Sequence, residues 1–464
     1  MLIIPLIVKT IKSFSRQLQT QTGIKNVKDN LKWQRIKNMQ EKMPKSRDNP
    51  VITKLNSPEF RSIFTPELEI LTKLFKKNNY ELRVAGGAVR DILMEKIPHD
   101  LDFATSATPD EMKIMFNNEE IRMLNTKGEK HGTITARIND KENFEVTTLR
   151  IDVVTDGRHA DIEFTTDWKL DANRRDLTIN SMFLDFDGNV YDYFYGFDDL
   201  KNKRVAFVGD AATRICEDYL RILRYFRFYG RISDVVDNHE DDTIKAIKDN
   251  VNGLERVSGE RIWSEWSKIL DGKFGDELTI KMLECGVGKY IGLPDNPNIE
   301  NFKLQCNNAK LKGIKLHPVT MVSSLLNNED DVLQLHNRLH WSSYNRELAI
   351  FMIVHREQKI TTDPLKPYQY IVLTTSGKVQ NIREYIVEIF KYKGMPELAE
   401  EFKNWQQPKI PINGNDLKTQ LTHPKIMGKV ISGLKKIWID SDFKMTKDDL
   451  LKHIPTVIEN LKKK

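Results

Sequence analysis

The sequence predicts an α+β amino-terminal half followed by a mainly helical carboxyl-terminal half. Short segments with strand character, one of them followed by a Gly-Gly pair, crowd the region between residues 80 and 149. Beyond Asp199, apolar residues instead recur at helical spacing, as at Ile262, Trp266 and Ile269. A chain of 464 residues is long enough for about three domains and a large core.

A strand, a glycine turn and a helix are predicted in that order at residues 80–95. Residues 80–84 have strand character, Gly86 and Gly87 form the turn, and residues 88–95 favour a helix. Glycines let backbone N–H groups approach a phosphate closely, and a helix N-terminus favours negative charge. The pattern therefore predicts phosphate binding, although a Gly-Gly pair by itself is usually only a turn.

Two aspartates, Asp100 and Asp102, follow this segment and give the clearest chemical signal. Residues 100–103 alternate as a strand does, which would place both carboxylates on one face and Leu101 and Phe103 on the other. Two carboxylates this close repel each other unless a cation lies between them, and such oxygen ligands suit Mg²⁺. We therefore predict a catalytic magnesium site for phosphoryl chemistry on a nucleotide. The alternative is a solvated turn or strand edge.

A neighbouring strand is predicted at residues 143–149, which are rich in apolar and β-branched side chains. It carries Glu145. Because a two-metal phosphoryl-transfer site uses a third carboxylate, Glu145 is the candidate for that catalytic position. An outward-facing acid on a surface strand fits the same pattern equally well.

Residues 217–227 predict one amphipathic helix with an arginine-rich face. Its apolar arc contains Tyr219, Ile222, Leu223 and Phe226. The remaining arc contains Asp218, Arg221, Arg224, Arg227 and, further along, Arg231. A solvated face normally mixes Lys, Glu and Gln, whereas arginine suits planar, bidentate recognition of phosphates and base edges. A solvated face nevertheless remains the alternative on this pattern alone.

Asp218 and Arg221 would stand about one helical turn apart and could select a base. Adenine and cytosine each present an amino donor beside a ring-nitrogen acceptor, which an Asp acceptor and an Arg donor would match. Guanine and uracil reverse this pattern. They would leave buried groups unpaired, at a cost of about 1–3 kcal/mol each.

Four runs of the sequence, in this order and spacing, resemble the signature of class II CCA-adding tRNA nucleotidyltransferases of the eukaryotic, mitochondrial type, within the nucleotidyltransferase and poly(A) polymerase superfamily. The runs are Gly-Gly-Ala-Val-Arg-Asp (86–91), Asp-Leu-Asp-Phe-Ala-Thr (100–105), Arg-Arg-Asp-Leu-Thr-Ile-Asn-Ser-Met (174–182) and Glu-Asp-x-x-Arg (217–221). The similarity covers roughly residues 50–290 and is specific because several motifs match together.

The resemblance implies an α+β head, with a small mixed nucleotidyltransferase sheet and helices, followed by an all-α neck, body and tail. The expected divisions are a mitochondrial presequence at 1–40, the head at 50–195, a helical neck with the nucleotide-selecting helix at 196–290, a helical body at 291–395 and a helical, tRNA-binding tail at 396–464.

The resemblance also implies roles for individual residues. Asp100 and Asp102 would be the metal ligands, Gly87 and Arg90 would contact the triphosphate, Arg175 and Asp176 would contact the incoming nucleotide, and Asp218 and Arg221 would template CTP and ATP with Arg224 and Arg227 beside them. The implied reaction adds C, C and A to the 3′ end of tRNA from CTP and ATP, without a nucleic-acid template, and releases pyrophosphate. The tRNA acceptor arm would lie along neck, body and tail.

Two other functions are compatible with the sequence. A poly(A) polymerase of the same superfamily shares the head motifs and differs in the nucleotides that it accepts. A noncatalytic RNA-binding protein could also use a decayed transferase scaffold, but the intact carboxylates argue against decay.

Composition agrees with an RNA partner without identifying one. The formal net charge is +6 and the pI is about 8.8, a mild basic excess. Cys216, Cys285 and Cys306 lack metal-ligand spacing and are predicted to be reduced packing residues. The histidines form no paired helical motif, so no zinc site is expected. Neither a membrane nor an obligatory protein partner is indicated.

The first 40 or so residues differ from the rest of the chain. No acid precedes Asp29, and Ile7, Ile11, Phe14 and Leu18 recur at helical spacing opposite Lys9, Lys12 and Arg16. This composition predicts a mitochondrial presequence. A secretory signal would have a basic residue ahead of its apolar core, and the apolar run is too short to span a bilayer. A disordered basic tail is the other alternative. Starts at Met39 or Met43 would allow a cytoplasmic or nuclear form.

Overall fold

The computed structural model describes residues 43–124, 126–155, 160–375, 379–418 and 426–462. The presequence expected at 1–40 lies outside these residues. The chain divides into two compact units, the first ending at Val257 and the second beginning at Ser258. The finer division into head, neck, body and tail stays a prediction.

The first unit combines strands and helices. Its strands are β1 (Val51–Lys54), β2 (Leu82–Ala85), β3 (Asp102–Thr105), β4 (Arg122–Leu124), β5 (Thr133–Ile138), β6 (Glu142–Thr148), β7 (Arg150–Thr155), β8 (Ala160–Phe164), β9 (Phe183–Leu184) and β10 (Asn189–Tyr191). Its helices are α1 (Pro58–Ser62), α2 (Pro66–Lys77), α3 (Gly87–Leu93), α4 (Pro109–Asn118), α5 (Trp168–Asn173), α6 (Gly196–Lys201), α7 (Ala211–Glu217), α8 (Arg221–Ile232) and α9 (Asp241–Asn250). Short 3₁₀ helices lie at Thr126–His131, Thr178–Asn180 and Val251–Arg256.

Eight of the described strands form a mixed sheet, as expected for the head. Its strand order is β1-β10-β9-β2-β3-β6-β5-β4. Strands β3 and β6 run parallel, whereas the other neighbours in this sheet run antiparallel. Strands β7 and β8 pair separately in a two-stranded antiparallel sheet.

The two faces of the central strands differ in polarity. Phe103 of β3 and Val146 of β6 are buried. Helices α2 and α4 contact β5, and their Phe75 and Phe116 pack edge to face with ring centroids 6.1 Å apart. Because side chains alternate along a strand, the residues next to Phe103 and Val146 lie on the opposite face. That polar face forms part of the candidate site.

The second unit is helical in the described residues. Its helices are α10 (Gly259–Leu270), α11 (Gly275–Glu284), α12 (Val287–Ile291), α13 (Ile299–Leu311), α14 (Pro318–Ser323), α15 (Glu329–Leu339), α16 (Ser343–His355), α17 (Lys366–Thr374), α18 (Val379–Tyr392), α19 (Pro396–Asn404), α20 (Gly414–Lys418), α21 (Met427–Asp440), α22 (Lys447–Lys452) and α23 (Ile454–Lys462).

Helix α10 shows how apolar spacing builds this unit. Ile262, Trp266 and Ile269 are all buried, as their helical spacing predicts. Gly259 begins the helix against the backbone of α15, and a Cβ there would lie 2.0 Å from the carbonyl oxygen of Arg338. A larger residue would therefore push the two helices apart.

The last helices have a core of their own. Leu417, Val430, Leu434, Trp438 and Leu450 are buried together there. Among the described helices of both units, none has the length and apolarity needed to cross a membrane.

Two predicted elements differ from the structure. Asp100 lies in a bend after Pro98, so β3 starts at Asp102 rather than at Asp100. The predicted helix at 217–227 is interrupted, because Asp218 is extended, with φ −153° and ψ 105°. Its carboxylate accepts the backbone N–H of Leu220 at 3.2 Å, a local bond that competes with helix continuation.

The cysteine prediction is partly wrong. Cys285 and Cys306 are buried and free, as expected, but Cys216 is exposed. Its Sγ lies 3.1 Å from Oδ1 of Asn250. Cys216 lies in the last turn of α7, next to the interruption at Asp218, and this turn leaves it facing solvent.

Candidate active site

An open cavity of about 550 Å³ in the first unit brings the predicted site residues together. Its walls come from the glycine turn, from β3 and β6, from the segment around α5 and from α8. All the predicted site residues except Asp100 line it: Gly87, Arg90, Asp102, Glu145, Arg175, Asp176, Asp218, Arg221, Arg224 and Arg227.

Asp102 and Glu145 lie side by side at this cavity. The parallel register of β3 and β6 pairs them directly, and neither carboxylate forms a salt bridge within the described residues. Partial loss of solvent raises the pKa of Asp102; Arg175 opposes the rise and Asp100 adds to it. A divalent cation fits here because it would offset both the desolvation of Asp102 and its repulsion by Asp100.

Asp100 is placed differently from Asp102. Its side chain is 87% exposed and its Oδ1 lies 3.1 Å from Nδ1 of His99. It lines an adjoining cleft of about 720 Å³ whose walls also include Asp102 and Glu145. In the part of the chain that is described, no three His, Cys, Asp or Glu side chains are already grouped closely enough to hold a metal. The metal-ligand role of Asp100 therefore stays a prediction.

The glycine turn needs glycine at its first position. Gly86 has φ +65° and ψ −116°, a conformation that side chains rarely adopt. A Cβ at Gly86 would also lie 3.0 Å from Nη1 of Arg175. Gly87 begins α3, where a Cβ would meet only Nη2 of Arg90 at 3.6 Å. The backbone of Gly86 and Gly87 is therefore accessible at the cavity wall.

Arg90 is a buried part of this wall. Its Nε and Nη2 donate to Oδ1 of Asp91 at 3.0 and 2.9 Å, and its Nη1 donates to Oδ1 of Asn180. Burial lowers the pKa of Arg90, and Asp91 opposes that shift. Asp91 in turn accepts from Arg231 of α8 at 2.7 Å. These bonds fix the position of Arg90 between the turn and α8.

Asp171 holds two arginines at the cavity, and sequence reasoning missed it. Its carboxylate accepts from Nε of Arg174 at 2.8 Å and from Nε and Nη2 of Arg175 at 3.2 and 3.1 Å. Burial alone would raise the pKa of Asp171, but the two arginines outweigh it and the pKa is lowered. The signal was readable, because Asp171 precedes the arginines by three and four residues near the end of α5.

Asp176 connects this segment to α8. Its Oδ2 accepts from Nε of Arg224 at 2.6 Å, and its Oδ1 accepts the backbone N–H of Leu177 at 2.9 Å. Burial raises the pKa of Asp176, yet Arg224 and the hydrogen bonds outweigh it and the pKa is lowered. Asp176 is therefore an ionised carboxylate that orients Arg224.

Arg221 is anchored at the start of α8. Its Nη1 donates to the carbonyl of Arg214 at 3.0 Å and also to Oε2 of Glu217, and its Nη2 donates to the carbonyl of Arg174 at 2.9 Å. The interruption at Asp218 places Asp218 before α8 rather than on it. Both side chains still line the same cavity.

Phe228 is a further cavity residue that the sequence prediction omitted. The guanidinium carbons of Arg90, Arg224 and Arg227 lie 4.9, 5.4 and 4.1 Å from its ring centroid. The i,i+4 spacing of Arg224 and Phe228 could have revealed this contact. Arg150 and Asn180 also line the cavity without having been predicted; Asp152, an acid two residues after Arg150 on β7, was a local signal for Arg150.

Two family models match the chain. The model described as "Poly A polymerase head domain" matches residues 82–206, and the model described as "Probable RNA and SrmB- binding site of polymerase A" matches residues 239–296. The first range includes the glycine turn, the carboxylates of β3 and β6, and the Arg174–Asp176 segment.

Solved structures with similar folds are CCA-adding enzymes. The enzyme of Bacillus stearothermophilus in complex with CTP has a TM-score of 0.63 at 22% identity, over 88% of this chain and 99% of that one. The Thermotoga maritima enzyme complexed with tRNA has a TM-score of 0.60 at 18% identity, with the same coverage. These two similarities support the fold.

Curated relatives are closer in sequence. The chain is 50% identical over 406 residues to "CCA tRNA nucleotidyltransferase 1, mitochondrial" of Mus musculus, covering 86% of this chain and 92% of that protein. The protein of the same name from Homo sapiens matches with the same identity and coverage. The CCA-adding enzyme of Staphylococcus haemolyticus is 28% identical over 86% of this chain and 99% of its own. This chain belongs to the CCA tRNA nucleotidyltransferase family.

Proposed function

We propose that this member of the family adds C, C and A to the 3′ end of tRNA from CTP and ATP, without a nucleic-acid template, in the cavity of the first unit. The observation that carries the proposal is the meeting of two chemically different walls in one cavity. Asp102 and Glu145 form one wall, and the anchored arginines of α8 form the other. Such a cavity can accept both the reacting phosphate and the base of a nucleotide.

The reaction joins the terminal ribose oxygen of the tRNA to the α-phosphorus of the nucleotide, and the bond to pyrophosphate breaks. Charge accumulates on the phosphate oxygens as this happens, so catalysis depends on positioning and electrostatic stabilisation. Asp100, Asp102 and Glu145 are the proposed catalytic carboxylates.

Nucleotidyltransferases of this superfamily generally depend on a divalent metal. We take Mg²⁺ as the ion, because carboxylate oxygens are its preferred protein ligands. Asp100 and Asp102 would hold it, and Glu145 would complete the acidic edge. Bound there, Mg²⁺ would neutralise charge at the attacked phosphate and lower the pKa of the attacking hydroxyl.

The incoming nucleotide would lie along the turn and the arginine wall. Gly87 leaves its backbone accessible to the triphosphate, and Arg90 adds positive charge beside it. Arg175, held by Asp171, would contact the nucleotide next to Asp102. Asp176 would contact the nucleotide beside Arg175. It would also orient Arg224, to which it is bonded.

Base selection is assigned to Asp218 and Arg221, with Arg224 and Arg227 beside them. Asp218 would accept from the amino group of cytosine or adenine, and Arg221 would donate to the neighbouring ring nitrogen. Both triphosphates satisfy the same pair. The growing 3′ end must then decide when C addition gives way to A addition.

Purified protein should be offered a tRNA transcript that lacks CCA, with Mg²⁺ and each labelled nucleotide separately and together. Ordered addition limited to two C and one A is the expected result. The head-domain match favours poly(A) polymerase as the second candidate, and long A tracts would identify it. Absence of incorporation would indicate a noncatalytic RNA-binding protein.

A mitochondrial location is supported by the names of the vertebrate relatives. We extend the proposal to a cytoplasmic or nuclear form that starts at Met39 or Met43. Residues 1–40 fused to a fluorescent reporter should direct it to mitochondria, and a chain that starts at Met43 should stay outside them. A diffuse reporter in the first case would contradict the presequence.

A further inference from the structure

Arg150, at the start of β7, lines the cavity and has a buried donor for which the described residues provide no acceptor. Its Nη1 donates to the carbonyl of His131. Its Nε is buried and has no hydrogen-bond partner within the described residues. The nearest acid, Asp152, lies 3.8 Å away, which is too far for a hydrogen bond.

Positive charge exceeds negative charge around Arg150. Asp171 is the buried carboxylate of this group, and its oxygens already accept from Arg174, from Arg175 and from the backbone N–H of Arg150. The guanidinium of Arg150 therefore lacks a direct bond to Asp171. Burial, followed by repulsion from Arg174, lowers the pKa of Arg150 to about 10.

A bound anion would offset both the desolvation of the Arg150 guanidinium and its repulsion by Arg174. Asp171 and Asp152 offset only part of the charge of the three neighbouring guanidinium groups, and the anion must reach a cavity that already contains the Gly87 turn and Asp102. Phosphate groups meet these conditions because arginine binds them with paired, charge-assisted hydrogen bonds. Two sources exist for such a group, the triphosphate of the nucleotide and the backbone of the RNA.

We propose that Arg150 binds the triphosphate of the incoming nucleotide, together with the Arg174–Arg175 pair that Asp171 holds in place. This inference rests on the proposed function, because it adds a binding residue to the same site. It also explains why a strand arginine outside the sequence motifs points into the cavity.

The test compares Arg150→Gln, which removes the charge, with Arg150→Lys, which keeps it without the planar fork. Inorganic tripolyphosphate serves as a probe that has neither base nor ribose. Arg150→Gln should raise the KM for CTP and ATP, and the inhibition constant of tripolyphosphate, by about tenfold or more. Arg150→Lys should fall between Arg150→Gln and wild type. The KM for tRNA should stay within about twofold of wild type.

Arg137→Gln is the matched control. Arg137 is also a strand arginine bonded to a backbone carbonyl, that of Asp140, and to Asn143, but it lies on another surface cleft. Its substitution should leave the KM values for CTP, ATP and tRNA and the tripolyphosphate constant unchanged. A fall in kcat with an unchanged tripolyphosphate constant would mean that Arg150 is only structural, and a rise confined to the KM for tRNA would assign it to the RNA backbone. Either result overturns the proposal.

If Arg150→Gln does not fold, Arg150→Lys decides the question through its tripolyphosphate constant. A rise of at least about threefold supports the proposal, and an unchanged constant overturns it. Calorimetry of tripolyphosphate binding needs no turnover. The role of Arg150 can therefore be tested even if the wild-type protein were to add no nucleotide to tRNA, which is the result that would refute the proposed function.

Discussion

The two walls of the cavity satisfy their charges in different ways. Arg221 and Arg224 of the arginine wall are bonded to carboxylates of the protein. On the carboxylate wall, Asp102 and Glu145 form no salt bridge within the described residues. The protein's own contacts therefore shape the arginine wall in advance, whereas the carboxylates of the other wall are left with the charge that a cation would offset.

The two walls also differ in the chemistry that they can perform. Guanidinium groups fixed by carbonyls and buried acids present their remaining donors in one geometry, which suits selection between bases. Carboxylates that hold a metal act on the reacting phosphate, which every nucleotide shares. We therefore expect changes at the carboxylate wall to affect rate, and changes at the arginine wall to affect selectivity.

Removing the carboxylate wall should have the largest effect. Asp102→Ala and Asp100→Ala should each lower incorporation by about a thousandfold or more, because stabilisation by the metal belongs to the chemical step. Single-turnover incorporation of C measures the loss, and a filter-binding assay with tRNA should show nearly unchanged affinity.

Glu145→Ala should also be severe, with a loss of about a hundredfold. Asp110→Ala is the control, because Asp110 is an exposed acid of α4 that pairs with Lys113 and should not affect incorporation. Near-normal turnover in Asp102→Ala would remove the carboxylate wall from the mechanism.

Loosening the arginine wall should have a smaller and more selective effect. Glu217→Gln removes the carboxylate that pairs with Arg221 and Arg214. Because Arg221 would then be less restrained, the preference for CTP over UTP should narrow by about tenfold, while C incorporation falls only severalfold. Competition assays with both nucleotides provide the ratio. An unchanged ratio would mean that the two main-chain carbonyls hold Arg221 without Glu217.

Loss of the ion pair between Asp176 and Arg224 should lower the free energy of unfolding as well as the activity. The pKa of Asp176 is lowered in the fold, so its stabilisation is present above the unfolded value of about 3.9 and is lost as the pH falls below it. Asp176→Asn should lower the melting temperature at pH 7 by a few degrees, corresponding to about 1–3 kcal/mol. The difference from wild type should shrink below about pH 4. Asp187→Asn, at an exposed turn, should show neither change.

Much of this site could be predicted from the sequence. The Gly86–Gly87 turn, Asp102, Glu145 and the arginine face of α8 all follow from local periodicity or composition, and the structure brings them to one cavity. The prediction of a mixed α+β head followed by helices is also confirmed. It was possible because strand and helix periods differ clearly along the chain.

Other features depend on tertiary bonds that local patterns do not contain. Residues 217–227 have helical periodicity throughout, and only the side-chain bond from Asp218 to the Leu220 N–H shows why the helix breaks. Arg150 has an acid two residues later on its own strand, Asp152, but this local pair does not predict that Arg150 lines the cavity. Its importance appears only when β7 lies beside Asp171 and the two arginines that Asp171 holds.

The division of labour between the two walls is tested most directly by comparing Asp218→Ala with Asp102→Ala. Each variant is given a tRNA that lacks CCA and each of the four nucleotides separately, and single-turnover incorporation is measured. Asp102→Ala should lower all four alike and leave the ratios unchanged. Asp218→Ala should weaken CTP and ATP use while narrowing their advantage over UTP and GTP by about tenfold or more. Loss of activity in Asp218→Ala with unchanged ratios would contradict a base-selecting role and leave Asp218 as a structural partner of the arginines.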